Sequence, residues 1–496
     1  MNRATHLAVL AAVTLVVSAH VGSPDTYFEG PAGPYRVRVI VRSAGVVPGL
    51  AQITVRLLGG TRARSVTALP VYWDPRTAAP PPPDTARIVS GDSSLYSAAL
   101  WLMTGGSYSV QVTVAGSSGT GTAIVPVEAI ATRRLGLQKP LALGLAAFGA
   151  FLFLGALTII GAAVRESVLP PGAEPDRRRV QRGRIAASAG GVLLVGAVLG
   201  GRSWWNAVDS DFSRQIYQPL AARAAVRNER GHAMLRFSIV DSAWRARRVT
   251  PLIPDHGHLV HLFLVRDGLD AFAHLHPVFV DSSDFDAALP PLPAGRYRVY
   301  ADITRESGFA ETLTDTIALG TGADGWSPSD PDDAWIQTGN GDRGMGNGDT
   351  VALGNGSRMI WNRSTSHIIA GQDAPLAFTV TTPDRRPATL EPYMGMAGHL
   401  MLTRDDGAVF VHLHPLGTIS WAAQQTFLLR GPADTAWGVV GRRLTAAEAA
   451  MKTMTVPATA TVSFPFAFPK PGRYRLWVQV KRHGKILTGV FDTEVQ

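Results

Sequence analysis

The chain has 496 residues, of which 46% are apolar and 17% charged, with a formal net charge of +9. This length indicates about three compact domains. The charge comes largely from Arg clusters beside apolar segments, without the alternation of basic and aromatic residues typical of a nucleic-acid surface, so we expect no nucleic-acid partner. The absence of cysteine excludes disulfides and thiolate metal sites.

The N-terminal residues predict export. Arg3 precedes an apolar run at 7–17 and the small tripeptide at 17–19, a pattern typical of a cleaved signal peptide at 1–19. An uncleaved anchor helix is the alternative, although the run is short for a span. Cleavage there would make His20 the mature N-terminus. Residues 20–135 contain short β-rich runs between Gly, Pro and Ser clusters, which predicts an extracytoplasmic β-sandwich.

Two apolar segments predict transmembrane helices. Residues 140–164 carry no charge, and the Gly-rich segment 185–204 ends in tryptophan, as at a membrane interface. The loop between them, 165–184, contains six Arg, and short Arg-rich loops remain cytoplasmic. We therefore predict a bacterial inner-membrane protein whose main domains all lie on the periplasmic or extracytoplasmic side.

The region after the second predicted span contains one pattern twice. Residues 255–277 and 393–415 agree at eleven of 23 positions, and PAGRYRVYADI at 293–303 matches KPGRYRLWVQV at 470–480. Domains at 205–322 and 351–496 are therefore predicted to be related β-sandwiches, separated by a polar linker at 323–350. The second has an insertion that includes a short helix or lid at 445–454. The predicted fold is mainly β, with three immunoglobulin-like or cupredoxin-like β-sandwiches and two transmembrane helices.

The repeated pattern concentrates histidine. A two-residue turn at Asp267-Gly268 would place His261 opposite His274, with His276 on the same face of the hairpin. Such imidazoles can bind copper, zinc, iron or nickel. The His-Gly-His of the first copy becomes Met-Gly-Met in the second, and copper accepts both ligand types. The candidate metal ligands are His256, His258, His261, His274, His276, Met394, Met396, His399, His412 and His414.

Structural roles are the alternative for these residues. The histidines could form cross-strand hydrogen bonds that hold the sheets in register, and the methionines could fill an irregular core. The exchange of His for Met at equal spacing favours copper, because a structural role gives no reason for the two residue types to replace each other.

Two segments resemble known bacterial modules. Residues 94–127 (SLYSAALWLMTGGSYSVQVTVAGSSGTGTAIVPV) resemble the YtkA/FixH-like immunoglobulin-type domains of exported proteins. The blocks EPYMGMAGHLMLTRDDGAVFVHLHP and PGRYRLWVQV resemble a His-rich β-sandwich module of the same broad group. These resemblances imply extracytoplasmic metal handling or assembly of respiratory copper enzymes.

The sequence thus predicts a membrane-anchored, copper-binding protein that acts in metal delivery, buffering or sensing. Its partners would be the membrane and an extracytoplasmic metalloprotein or respiratory oxidase. The alternative is a scaffold for protein–protein interaction or respiratory complex assembly, with structural histidines. We expect no enzymatic activity, since no catalytic triad spacing, phosphate loop or carboxylate pair stands out.

Overall fold

A computed structural model describes residues 22–451 and 459–496, except 24, 78, 171, 230, 321–325, 339–348, 364–366, 375, 432 and 435. The predicted signal peptide 1–19 and His20 lie outside the described residues. The chain forms two compact units, one containing residues up to 130 together with 218–496, and the other residues 131–217. The prediction of a mainly β chain with two apolar helices is confirmed.

The N-terminal domain consists of two antiparallel sheets around one hydrophobic core. Its strands are β1 (Asp25–Ala32), β2 (Tyr35–Arg42), β3 (Gly49–Leu57), β4 (Ala63–Tyr72), β5 (Asp84–Thr85), β6 (Arg87–Val89), β7 (Asp92–Leu102), β8 (Gly106–Gly116) and β9 (Gly119–Ala129). The sheet orders are β1-β2-β3-β7-β6 and β5-β4-β8-β9. In β3 every second side chain is buried, because alternate residues of a strand face the core.

The second unit contains two helices that are long and apolar enough to cross a membrane, α1 (Lys139–Glu166) and α2 (Arg177–Arg214). They pack closely where Gly183 faces Gly161, since a Cβ on Gly183 would lie 2.8 Å from the Gly161 carbonyl oxygen. The helices extend beyond both predicted spans and into the predicted 165–184 loop. Asp176 caps α2, accepting a 2.7 Å hydrogen bond from the Arg179 amide.

The first histidine domain follows. Its elements are β10 (Ala222–Glu229), β11 (His232–Ile239), α3 (Ser242–Arg245), β12 (Leu252–Ile253), β13 (His261–Arg266), β14 (Ala271–Leu275), β15 (Val278–Phe279), β16 (Asp284–Ala288), β17 (Gly295–Arg305), β18 (Ala310–Leu319) and β19 (Ala334–Gln337). One sheet has the order β10-β11-β16-β15, and the other β12-β17-β13-β14-β19 with β18 on β17.

Strand β19 corrects the predicted domain boundary. It lies within the predicted linker 323–350, yet it pairs antiparallel with β14. The sequence suggested a linker because the strand has only four residues and lies in a polar segment. Its pairing partner, β14, lies far away in the sequence.

The second histidine domain consists of β20 (Thr350–Ala352), β21 (Arg358–Trp361), β22 (Leu376–Thr381), β23 (His399–Arg404), β24 (Phe410–Leu413), α4 (Trp421–Leu429), α5 (Val439–Met451), β25 (Thr461–Phe464), β26 (Gly472–Arg482) and β27 (Lys485–Val495). Its sheets have the orders β20-β21-β22-β25 and β24-β23-β26-β27. The insertion contributes α4 and α5, so the expected helix there starts earlier in the chain than predicted.

Candidate metal centre

Each histidine hairpin closes through a loop that is longer than the predicted two-residue turn. In the first hairpin Leu262 pairs with Leu275, and this register places His274 opposite Phe263. The predicted pairing of His261 with His274 is therefore wrong, because Leu269 adopts a left-handed φ of 59° and lengthens the loop. The second hairpin has the same register, with Leu400 opposite Leu413.

The hairpins nevertheless bring their histidines together as predicted. In each group, one nitrogen from every member lies within 4.8 Å of the others. The first triad is His261, His274 and His276, and the second triad is His399, His412 and His414.

The first histidine of each triad is held by a backbone carbonyl. His261 Nε2 donates to the Asp255 carbonyl oxygen at 2.9 Å, and His399 Nε2 donates to that of Tyr393 at 3.2 Å. Because a carbonyl only accepts, Nε2 carries the proton in both rings. The lone pair therefore lies on Nδ1, which faces the triad.

The second histidine of each triad is held by the other domain. His274 Nδ1 donates to Gln479 Oε1 at 3.0 Å, while His412 Nδ1 donates to Asp302 Oδ2 at 3.2 Å. Asp302 lies on β17 opposite His261, and Gln479 lies at the matching place on β26. Each domain thus supports the neighbouring triad, and Nε2 of each supported ring carries a lone pair.

The third histidine of each triad leaves one nitrogen without a partner. His276 Nδ1 lies 3.1 Å from Asp333 Oδ1, and His414 Nδ1 lies 3.1 Å from the Ile419 carbonyl oxygen. The Nε2 atoms of both rings are buried and have no hydrogen-bond partner among the described residues. Buried polar atoms are usually satisfied, so these two nitrogens are candidates for binding a metal.

Three lone pairs therefore converge in each triad. The distance from His261 Nδ1 to His274 Nε2 is 3.4 Å, and that from His399 Nδ1 to His412 Nε2 is 3.1 Å. Two imidazole nitrogens at tetrahedral positions around one ion, with bonds of about 2.0–2.1 Å, are separated by about 3.3 Å. These spacings fit a shared metal ion, and the outer N–H bonds are those that orient metal-bound imidazoles.

The two domains meet through stacked aromatic rings beside the triads. Tyr300 stacks on Phe410 with ring centroids 4.0 Å apart, and Phe272 stacks on Trp477 at 4.8 Å. Tyr300 and Trp477 occupy matching positions on β17 and β26. The contacts are reciprocal, as in a two-fold symmetric interface between like subunits.

The His-Gly-His and Met-Gly-Met segments form matching tight turns. His256 and Met394 have φ values of 55° and 51°, and the glycines that follow them also have positive φ. Backbone hydrogen bonds close each turn, between Asp255 and His258 and between Tyr393 and Met396. Positive φ at both central residues is the geometry of a type I′ turn.

His256 lies beside the second triad, although the sequence grouped it with the first. Its ring is buried, 5.1 Å from the ring of His414 and 5.6 Å from that of His399. It also stacks on Trp421 of the inserted helix α4, 5.7 Å away. The packing of the two domains places this side chain of the first domain next to the triad of the second. A comparison of the two repeats does not reveal this contact.

His258 remains beside the first triad. Its ring centroid lies 4.1 Å from that of His276, and its Nδ1 lies 3.7 Å from Asp330 Oδ2. His258, His276 and Asp330 also form a compact group of metal-binding side chains. His276 can thus serve either set.

The two methionines are placed differently. Met394 is 8% exposed, and Met396 packs against the hydrophobic cluster of Ile253, Trp421, Ala422 and Leu444. These contacts favour a packing role for Met396. Metal ligation by the two sulfur atoms stays a prediction.

Burial keeps the imidazoles neutral. Desolvation, followed by the proximity of other histidines, lowers the pKa of His274, His276, His399 and His412 well below the usual 6.5. Desolvation also lowers the pKa of His261 and His414, and that of His256 to about 3. The rings are therefore unprotonated at neutral pH, the form that binds metals.

Three supporting residues were not identified from the sequence. Asp302 and Gln479 could have been found, because they occupy one position of the repeated PAGRYRVYADI and KPGRYRLWVQV blocks. Asp333 lies in the segment predicted to be a linker. Burial raises the pKa of both Asp302 and Asp333 to about 7, because desolvation disfavours the charged carboxylate.

A family model described as a domain of unknown function (DUF8832) matches residues 223–319 and 353–496, which cover most of the two histidine domains. No curated protein matches the chain.

Solved structures match this chain with low sequence identity and low TM-scores. A tetra-tandem repeat from the extending region of a large adhesion protein has 9% identity and a TM-score of 0.16, over 91% of this chain and 71% of that one. The chicken CNTN1 FN1-FN3 domains have 7% identity and a TM-score of 0.13, over 92% and 97%. E. coli alpha-2-macroglobulin has 7% identity and a TM-score of 0.19, over 97% and 23%.

Proposed function

We propose that this protein binds one transition-metal ion, copper above all, in each histidine triad, and that it acts in metal delivery, buffering or sensing without catalysing a reaction. The observation that carries the proposal is the convergence of three unprotonated ring nitrogens in each triad. Nitrogen lone pairs on atoms 3.1 or 3.4 Å apart repel each other, and a shared cation turns that repulsion into coordination.

The hydrogen bonds distinguish this proposal from purely structural histidines. A structural histidine in a buried site normally satisfies both ring nitrogens. Here the outward nitrogens all have acceptors, whereas His276 Nε2 and His414 Nε2 face inward with none among the described residues. The pattern of satisfied outer and unsatisfied inner nitrogens supports a metal site.

Copper is the metal best supported by the sequence. Neutral imidazole binds Cu(II), Cu(I) and Zn(II). The exchange of His256 and His258 for Met394 and Met396 places soft sulfur atoms in the second copy of the repeat, which favours copper over zinc. The packing of Met396 against a hydrophobic cluster weakens that argument, so zinc belongs in any test.

The location of the protein is part of the proposal. Helices α1 and α2 would cross a bacterial inner membrane with the Arg-rich loop in the cytoplasm, so all three β-domains would be periplasmic. The domains would be immunoglobulin-like or cupredoxin-like, and a partner would be an extracytoplasmic metalloprotein or respiratory oxidase. Topology reporters fused after residues 130 and 215 should be active outside the cytoplasm, and one at 175 inside.

The alternative is a scaffold whose histidines join the two domains. The cross-domain bonds from His274 to Gln479 and from His412 to Asp302 favour it, because they would hold the interface without any metal.

Metal titration of the full-length protein in detergent decides between the two. After removal of metals by a chelator, the wild type should bind two Cu or Zn ions per chain. His276→Ala and His414→Ala should each reduce this number to one, while the exposed control His232→Ala should retain two. If the wild type binds Cu and Zn no more tightly than exposed surface histidines do, the scaffold is favoured.

A further inference from the structure

A cavity of about 130 Å³ lies where the N-terminal domain meets both histidine domains. Five carboxylates line it, and the described residues of its lining include neither Lys nor Arg. These acidic residues are Asp25, Glu128, Asp255, Asp302 and Glu311. Arg305 pairs with Glu311 at 3.1 Å and Arg42 with Asp25 at 3.9 Å, so the five carboxylates remain in excess and the cavity is favourable for a cation.

Both triads reach this cavity. His261 of the first triad and His412 and His414 of the second are part of its lining. His414 is only 4% exposed, and its Nε2 is the buried nitrogen that lacks a partner among the described residues. An acidic cavity lined by three triad histidines, one of which has an unsatisfied ring nitrogen, has the chemistry of a route for a metal cation.

The N-terminal domain forms one side of the cavity through specific contacts. The Glu29 amide donates to the Leu416 carbonyl oxygen at 2.9 Å, and the Thr418 amide donates to that of Tyr27 at 3.0 Å. The same turn carries His414, whose amide donates to the Gly417 carbonyl oxygen at 2.8 Å. Strand β1 thus holds the turn that presents a triad histidine.

Glu128 makes the second connection. Its Oε1 accepts a 3.3 Å hydrogen bond from the Ala310 amide at the start of β18. The carboxylate therefore belongs to the N-terminal domain but lies against the first histidine domain, on the wall of the cavity.

We propose that this cavity is the entry site for the metal ion and that Glu128 and Asp25 of the N-terminal domain bind the ion transiently before it reaches the triads. The inference rests on the proposed metal-binding function. Carboxylates attract a cation and raise its local concentration, but oxygen ligands hold copper less well than imidazoles do. The ion therefore passes inward to the histidines.

The test is the rate of metal loading in the full-length protein. Burial raises the pKa of Glu128 to about 7, so rates are measured above that pH, where the double variant Asp25→Asn, Glu128→Gln removes two charges. The side-chain amide oxygen introduced by Glu128→Gln can still accept from the Ala310 amide. We expect the association rate for Cu(II) to fall about ten-fold at low ionic strength. The dissociation rate should fall by a similar factor and leave Kd within about two-fold, because a residue on the path affects both directions.

The control for a general loss of negative charge is Asp84→Asn, at an exposed site of the same domain away from this cavity. It should change the association rate by less than about two-fold. Added salt should slow the wild type toward the double variant. If the wild type binds Cu(II) but the double variant loads and releases it at unchanged rates, the entry site is overturned and the proposed function is not. A weakened Kd of the double variant with an unchanged association rate would have the same meaning. A wild type that binds no Cu(II) would overturn the proposed function and this inference together.

Discussion

The two histidine domains hold their triads with the same backbone but different outer partners. The first triad rests on Asp333 from its own domain and Gln479 from the other, whereas the second rests on Asp302 from the other domain and a carbonyl from its own. Each triad thus has one carboxylate partner. The first triad receives it from its own domain and the second from the other domain. The difference shows that neither domain completes its triad alone, and the predictions below test how far the equivalence extends.

Acid should have the largest effect and should disrupt both triads together. Seven histidines have lowered native pKa values, so below pH 6.5 the unfolded chain binds protons that the native chain does not. Each of these histidines lowers the free energy of unfolding by up to about 1.4 kcal/mol per pH unit, or about 10 kcal/mol for all seven at pH 5.5. Protonation of Asp302, Asp333 and Glu128, whose pKa burial raises to about 7, offsets about 2 kcal/mol each at that pH, so the net loss is about 4 kcal/mol.

That net loss is a large fraction of the stability of a typical domain, about 5–15 kcal/mol. Thermal unfolding of the metal-free protein should therefore show a Tm that is steady above about pH 7 and falls steeply from about pH 6.5 to 5.5. A Tm that stays constant over this interval would contradict the burial of neutral imidazoles.

Removing the aromatic stacks should be the next largest change. Trp477→Ala and Tyr300→Ala alter matching positions, and both side chains are buried at the interface. Truncation of a buried Phe or Trp costs about 3–5 kcal/mol, and we expect Trp477→Ala to cost more because its ring is larger. Thermal unfolding measures both, with the exposed Trp101→Ala as control. Equal effects of Trp477→Ala and Trp101→Ala would argue against this interface.

Exchanging the cross-domain partners should change metal affinity more modestly. Asp302→Asn should weaken the second triad about 10–100-fold, as is typical when a partner of a metal-binding histidine is lost, and should leave the first triad unchanged. Gln479→Glu should strengthen the first triad by up to about ten-fold.

Calorimetric titration with Zn(II) or Cu(II) resolves the two sites. In a His414→Ala background, which removes the second site, Asp302→Asn should have no further effect. A loss at the first triad in this background would show that Asp302 acts through the fold and not through His412.

The smallest effect compares matching turn positions, His258 and Met396. Met396→Leu should cost less than about 1.5 kcal/mol in unfolding free energy and leave Cu(I) affinity unchanged, because it replaces one apolar filler by another. His258→Leu should weaken the first triad, since its ring lies 4.1 Å from that of His276. Loss of Cu(I) affinity in Met396→Leu would instead support the sulfur ligand predicted from the sequence.

The sequence identified what depends on local pattern. Alternating strands, the apolar helices and the placement of His274 and His276 on one face all follow from periodicity along the chain. The hairpin register was missed because it depends on the backbone conformation of Leu269, a residue with no special preference for positive φ.

The cross-domain contacts were missed for another reason. His256 lies beside the second triad, and Asp302 supports His412, only because the two domains pack against each other. A comparison of the repeats shows equivalent positions but not which copy a side chain meets. Asp333 was hidden by its polar neighbours, which resemble a linker until β19 pairs with β14.

The reciprocal bonds to His274 and His412 have a consequence for how cargo would leave. Separation of the domains removes Gln479 from one triad and Asp302 from the other in the same movement. Ions held there would be coupled, with binding of one favouring the closed arrangement that binds the next. A receiving protein that wedges the domains apart would then collect both ions in a single event, as an all-or-none transfer.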